Sequence, residues 1–181
     1  MRVALCFFGL VGGRVTKTGN GEGLDPAIAY EYYKKHLLDI NDEVDIFIHS
    51  WSYKERDKLL KLYKPIKSCI EEQMDFPQAA NHPEKLGSFK NKAKLFIRRV
   101  FNNKEYIQEI KRLENYSWRT YSRWYSSKKA IALKSEYEKE NNFKYDTVMI
   151  TRLDVGFFTD LDFSKVDLAF ANLSSTNIKN V

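Results

Sequence analysis

Cysteine is scarce: Cys6 and Cys69 are the only two in 181 residues, too few for a disulfide scaffold or a cysteine-built metal cluster. Cys6 lies in an apolar run, where a small buried thiol is the common outcome, and this usage fits a reducing cytoplasm. No apolar run reaches the roughly 18 residues that span a bilayer. The stretch from Arg2 to Val11 has no small-x-small cleavage site, and its apolar run begins too early for a signal sequence. It reads instead as a first buried strand. There is no Gly-Lys-Ser/Thr for a Walker loop, and Gly9-x-x-Gly12-Gly13 misses the G-x-G-x-x-G register. Internal repeats and low-complexity tracts are absent as well.

What is present is a globular composition, 43% hydrophobic and 14% aromatic, which excludes a disordered chain. Tyrosine and phenylalanine, 11 and 12 copies, suit one α/β domain with an aromatic-lined groove. A net charge of +6 favours polyanionic partners: nucleotides, nucleic acid or an anionic membrane surface.

The chain is organised around Tyr145 to Val155, a β-branched, apolar run that reads as a buried strand. It delivers Arg152 and Asp154 at its C-terminal end, where α/β sheets open onto a ligand crevice. Side chains alternate along a strand, so the two point to one face. Two readings stand. The arginine fork and the hard carboxylate oxygens suit a phosphate and a divalent cation, or the two residues cap the strand as an ion pair.

Taken in order, Val3 to Leu10 is apolar throughout, as in a strand covered on both faces. The loop after it carries Gly9, Gly12, Gly13, Arg14 and Lys17, which either approaches phosphates or is a plain surface loop. Asp25-Pro26 opens a helix to about Asp39, with Ile28, Tyr32 or Tyr33, and Leu37 on its apolar face. Glu43 to Trp51 is a second strand ending in His49 and Trp51. These are either groups for a base, phosphate or sugar, or a satisfied histidine and a packed indole. The resulting βαβ unit predicts a parallel pair.

Tyr53 to Tyr63 is an amphipathic helix and Tyr63 to Glu71 a short edge strand. The region from 72 to 116 reads as a helical, basic insertion. Its 85–112 stretch suits a membrane-surface helix, nucleic-acid contact or an ordinary solvated helix face. Ser117 to Glu140 is the strongest helical segment, with Trp118, Tyr121 and Tyr125 on one face and Arg123, Tyr125 and Lys129 within reach of a ligand. Asp160 and Asp162 read as turn residues, and Val166 to Ala171 as a last short strand.

Three segments together resemble a known family: the first strand, the strand end Val44 to Trp51, and the block from Arg119 to Asp154. In that block Trp124-Tyr125-Ser126-Ser127-Lys128-Lys129-Ala130 precedes Tyr145-Asp146 and Thr151-Arg152-Leu153-Asp154. The chain resembles the GT-A-type nucleotide-sugar glycosyltransferases, bacterial and viral, of capsule or lipopolysaccharide type, over residues 1–60 and 117–171. The resemblance implies a Rossmann-like three-layer α/β sandwich with a mostly parallel central sheet, formed by a single domain over 1–181. It implies transfer of a sugar from a nucleotide-diphosphate donor to a glycan or lipid-linked acceptor, by a cytoplasmic protein with possible peripheral membrane contact.

Asp154 matches the last aspartate of the family's Asp-x-Asp motif, which holds Mn²⁺ or Mg²⁺. Arg152 replaces the first aspartate, so an arginine rather than the metal could offset the diphosphate charge. Gly9, Gly12, Arg14, His49 and Trp51 fall where such proteins hold the nucleotide. Beyond Asp154 the only carboxylates are Asp160, Asp162 and Asp167, and no catalytic base is assigned. A homo-oligomer or a partner subunit that completes the acceptor side is therefore expected. The alternative is a non-catalytic or degenerate module that binds nucleotide or, through 85–112, nucleic acid.

Overall fold

The structure is a computed structural model, and residues 1–12, 24–76 and 103–166 are described. The elements are β1 (Val3–Gly9), α1 (Pro26–Tyr33) running on into a π-helical turn (Lys34–Leu38), and β2 (Val44–Ser50). A 3₁₀ turn (Tyr53–Glu55) then leads into α2 (Arg56–Tyr63), followed by β3 (Lys67–Ile70), the long helix α3 (Asn103–Glu140) and β4 (Thr147–Arg152). The four strands form one parallel sheet in the order β3-β2-β1-β4. This is an α/β architecture.

The local reasons are visible in sequence. Asp25 caps α1 by accepting from the Ala27 amide, 2.8 Å, and Pro26 occupies the first helical turn, where its missing N–H costs nothing. Lys64 ends α2 in the left-handed region, φ 43°. β1 is the central strand and is buried on both sides, as its unbroken apolar run requires. One face (Val3, Leu5, Phe7) packs on Tyr33, Leu37, Leu59 and Tyr63 from α1, α2 and the π turn. The other (Ala4, Cys6, Phe8) packs on Phe47, Ala130 and Tyr145 beneath α3. Of the residues expected to form the apolar face of the first helix, Tyr33 and Leu37 are fully buried, whereas Ile28 and Tyr32 are exposed.

Two expectations are corrected. β4 is not a buried strand but an edge strand. Val148 and Ile150 lie beside Ala4 and Cys6 in register, yet remain 40% and 46% exposed, because α3 packs over β1, β2 and β3 instead. The helix expected from Ser117 begins at Asn103, so the end of the supposed insertion is continuous with a core helix. Residues 77–102, most of that basic region, lie outside the described residues, as do Arg14 and the strand expected at Val166 to Ala171 beyond its first residue. Asp162 does belong to a turn, where its Oδ1 accepts from the Ser164 amide, 3.0 Å. Among the described residues no helix is long and apolar enough to cross a membrane.

α3 is fastened to the segment that leads into β4 by Glu138, whose side chain is only 2% exposed. Its carboxylate accepts from Lys134 Nζ at 2.9 Å, Lys144 Nζ at 3.1 Å and the Tyr145 amide at 3.1 Å. Burial pushes this carboxyl up, but the Lys134 ammonium, the Tyr145 amide and the Lys144 ammonium outweigh it and hold it down at about 2. An unfolded glutamate titrates at 4.5, so the stabilisation is complete above that pH and is lost as pH falls from 4.5 through about 2. Glu138→Gln is expected to cost on the order of 2 kcal/mol at pH 7. Urea unfolding at pH 7 and pH 3 should show the gap between variant and parent shrinking in acid.

Candidate functional site

The strand order places β2 and β3 on one side of β1 and β4 on the other. The strand order therefore reverses between β1 and β4, the place where parallel α/β sheets open a crevice at the strands' C-terminal ends. A cleft of about 320 Å³ lies there, lined by Phe8, Gly9, Leu10 and Gly12 after β1, Trp51 after β2, and Arg152 at the end of β4. Gln73 and the α3 residues Trp118, Arg119, Ser122 and Arg123 complete it.

The α3 wall follows from helical spacing. Ser122, Ser126 and Ala130 recur every four residues and are buried, so this face is small and the helix can sit close to the sheet. One turn away, Arg119 and Arg123 reach the cleft from the same helix. The Arg123 guanidinium stands 5.9 Å from the Phe8 ring centroid. Phe8 is beside Arg152 in the ladder, so guanidinium groups from α3 and β4 line one cleft. Neither Arg119 nor Arg123 has a carboxylate partner among the described residues.

Opposite them Trp51 is 5% exposed, stacks on Tyr125 with centroids 5.3 Å apart, and meets Phe76 edge-on. Its indole Nε1 is buried without a hydrogen-bond partner among the described residues.

The chain at the end of β1 turns on two glycines. Gly9 and Gly12 have φ of 98° and 94°, the region that disfavours a Cβ. The Gly9 carbonyl accepts from Ser50 Oγ and the Trp51 amide, and its amide donates to Ser126 Oγ at 2.8 Å. Ser126 Oγ in turn lies 2.7 Å from His49 Nδ1, and His49 Nε2 lies 3.0 Å from Glu71 Oε1. One proton arrangement satisfies all of them. The serine hydroxyl donates to Nδ1, and Nε2–H donates to the carboxylate. Burial lowers the imidazole's pKa, against the pull of Glu71, which keeps the ring neutral. A Ser-His-Glu chain suggests a hydrolase triad, but His49 and Ser126 are 0% exposed. No substrate reaches that hydroxyl, so the chain ties helix to sheet rather than supplying a nucleophile.

The sequence-predicted residues are thus divided. Gly9, Gly12, Trp51 and Arg152 line the cleft together. His49 does not; it is the satisfied histidine, sealed behind Trp51, with the two rings edge to face at 4.8 Å. Asp154 lies past the end of β4, not on its face. It lines a separate hollow of about 140 Å³ with Asp25, Ile28 and Tyr32. Both its oxygens are taken by Arg152, from Nε at 2.7 Å and from Nη2 at 2.5 Å. No metal-binding group of three donors among the described residues includes Asp154. The donor set there does not fit a Mn²⁺ or Mg²⁺ site, because a guanidinium already occupies the carboxylate.

Sequence reasoning passed over Arg119, Trp118, Gln73 and Glu71. A small-residue repeat at 122, 126 and 130, flanked by arginines one turn earlier, was the available signal for the first two. Gln73 is placed by a long-range bond to Ser122, 3.0 Å, which no local pattern announces. Searches of family models, curated proteins and solved structures return no match to this chain.

Proposed function

We infer that the cleft binds a nucleoside diphosphate group, and that the chain acts as a nucleotide-sugar-dependent glycosyltransferase of GT-A-like fold. The observation that carries this reading is the pair Arg119 and Arg123, which have no carboxylate partner among the described residues, on a cleft at the reversal of strand order. A planar guanidinium matches the paired oxygens of a phosphate, and two of them suit a diphosphate. Trp51 and Trp118 offer flat apolar walls for a base or sugar ring.

In transfer, the sugar's anomeric carbon leaves the diphosphate oxygen and bonds to the acceptor hydroxyl, whose proton passes to a base. The charge grows on the departing diphosphate, where positioned cations lower the barrier. Arg119 and Arg123 fill that role, beside an Arg152 that Asp154 holds in place. The acceptor, glycan or lipid-linked, would enter from the open side beside β4.

The test is calorimetric titration with UDP, GDP, CMP, UDP-glucose and GDP-mannose, each with and without Mn²⁺. One nucleotide is expected to bind in the micromolar range with little response to the metal. Affinity that rises tenfold or more with Mn²⁺ would restore Asp154 as a ligand. Absence of binding to all five would end the nucleotide reading and favour the nucleic-acid module, with its steep salt dependence.

A further inference from the structure

We propose that His49, Cys69 and Glu71 form a zinc-type metal site with an open coordination position, separate from the arginine cleft. His49 and Cys69 are direct neighbours in the β2–β3 ladder. Glu71 follows two residues after Cys69, so strand alternation returns it to the same face. One donor atom from each, imidazole nitrogen, thiol sulfur and carboxylate oxygen, lies within 4.8 Å of the others. Tetrahedral zinc with bonds of about 2.0–2.3 Å sets its ligands roughly 3.3–3.6 Å apart. The His49 Nε2 to Glu71 Oε1 pair, at 3.0 Å, must open slightly and the widest pair must close by about 1 Å. Rotation of the half-buried Cys69 and Glu71 side chains covers that range.

The shell behind the histidine is already suited to ligation. Metal binding needs the Nε2 lone pair, so the ring proton must move to Nδ1. There it donates to Ser126 Oγ at 2.7 Å. The serine hydroxyl then turns to the His49 carbonyl, 3.4 Å away, while the Gly9 amide still donates to Oγ. Every polar group keeps a partner in both tautomers. A fixed acceptor behind a histidine is the usual device for orienting a metal ligand.

Charge also balances. Zn²⁺ with one thiolate and one carboxylate is neutral, so the nearby Lys129 ammonium, which faces Cys69 and Glu71, is not opposed. The thiol proton is released to solvent on binding. Thiolate and imidazole select zinc or cobalt over Mg²⁺ or Mn²⁺, and three protein ligands leave a fourth position for water on the side where Cys69 and Glu71 meet solvent.

Cobalt titration of the metal-free protein tests this, followed by displacement with zinc. The expected result is one equivalent bound at micromolar affinity or tighter, with a near-ultraviolet thiolate-to-cobalt charge-transfer band that zinc abolishes. Cys69→Ser should remove the band and weaken binding at least tenfold, and Glu71→Gln should weaken it at least tenfold. Circular dichroism and the urea midpoint establish that both variants are folded. A band that survives in Cys69→Ser would assign the thiolate to Cys6 and overturn the site. So would the absence of binding, or affinity unchanged in both variants.

Discussion

Replacing Arg119 and Arg123 together by alanine is expected to weaken nucleoside diphosphate binding about a hundredfold or more. A hydrogen bond to a charged group contributes about 1.5–3 kcal/mol. Taking the low end for both, because the cleft is open to water, gives roughly 3 kcal/mol, or somewhat over a hundredfold at 1.4 kcal/mol per decade. Both residues are exposed and lack carboxylate partners among the described residues, so the urea midpoint should stay within about 0.5 kcal/mol of the parent. The lysine pair separates charge from shape. Arg119→Lys with Arg123→Lys keeps both positive charges but loses the fork, and should recover only part of the affinity. The loss should also shrink with added salt, since part of the attraction is screened. Calorimetry at two ionic strengths measures all of this. A change of less than threefold in the alanine pair would remove these arginines from the site.

The second large effect falls on stability. Ser126→Ala strips the partner from the half-buried Gly9 amide and from the fully buried His49 Nδ1. A buried polar group left unsatisfied costs about 1–3 kcal/mol, so the pair predicts on the order of 2–4 kcal/mol at neutral pH. Urea unfolding with an unchanged m-value would report it. A loss below 1 kcal/mol would mean that water replaces the hydroxyl and that the chain from Gly9 to Glu71 is not a structural tie. The same histidine sets a pH window. Its folded pKa lies below the unfolded 6.5, so its contribution is complete above that pH and falls away as acid charges the unfolded ring first. That loss begins at a higher pH than the one set by Glu138.

How much of this was legible in the sequence differs by element. β1 was, because a strand covered on both faces has no polar interruption to blur it, and β2 was through its central Ile46-Phe47-Ile48 run. The α1 start was too, since Asp25-Pro26 is a local signal. β4 was misread as buried because Val148 and Ile150 are apolar, and composition does not say whether a helix covers them. The start of α3 was missed although Ile107, Ile110 and Leu113 recur at helical spacing, because Lys104, Lys111 and Arg112 grouped this stretch with the basic segment before it. At the site, Arg152 and Trp51 were found as the ends of strands. His49 and Asp154 were assigned to ligands because sequence shows residue type and spacing but not partners. Ser126 and Glu71 satisfy the first, 77 and 22 residues away, and Arg152 occupies the second.

The helix α3 is a rod longer than the sheet it lies on. At 1.5 Å per residue its 38 residues extend about 57 Å, while the seven-residue β1 spans about 23 Å. The rod is pinned at three points: Ser126 to Gly9, Ser122 to Gln73 and Trp118 against Phe76. Arg119 and Arg123 fall inside that pinned stretch, while Asn103 lies about 24 Å further along the rod from Arg119. The helix is thus built as a cantilever, and the cleft's two arginines sit on its anchored part.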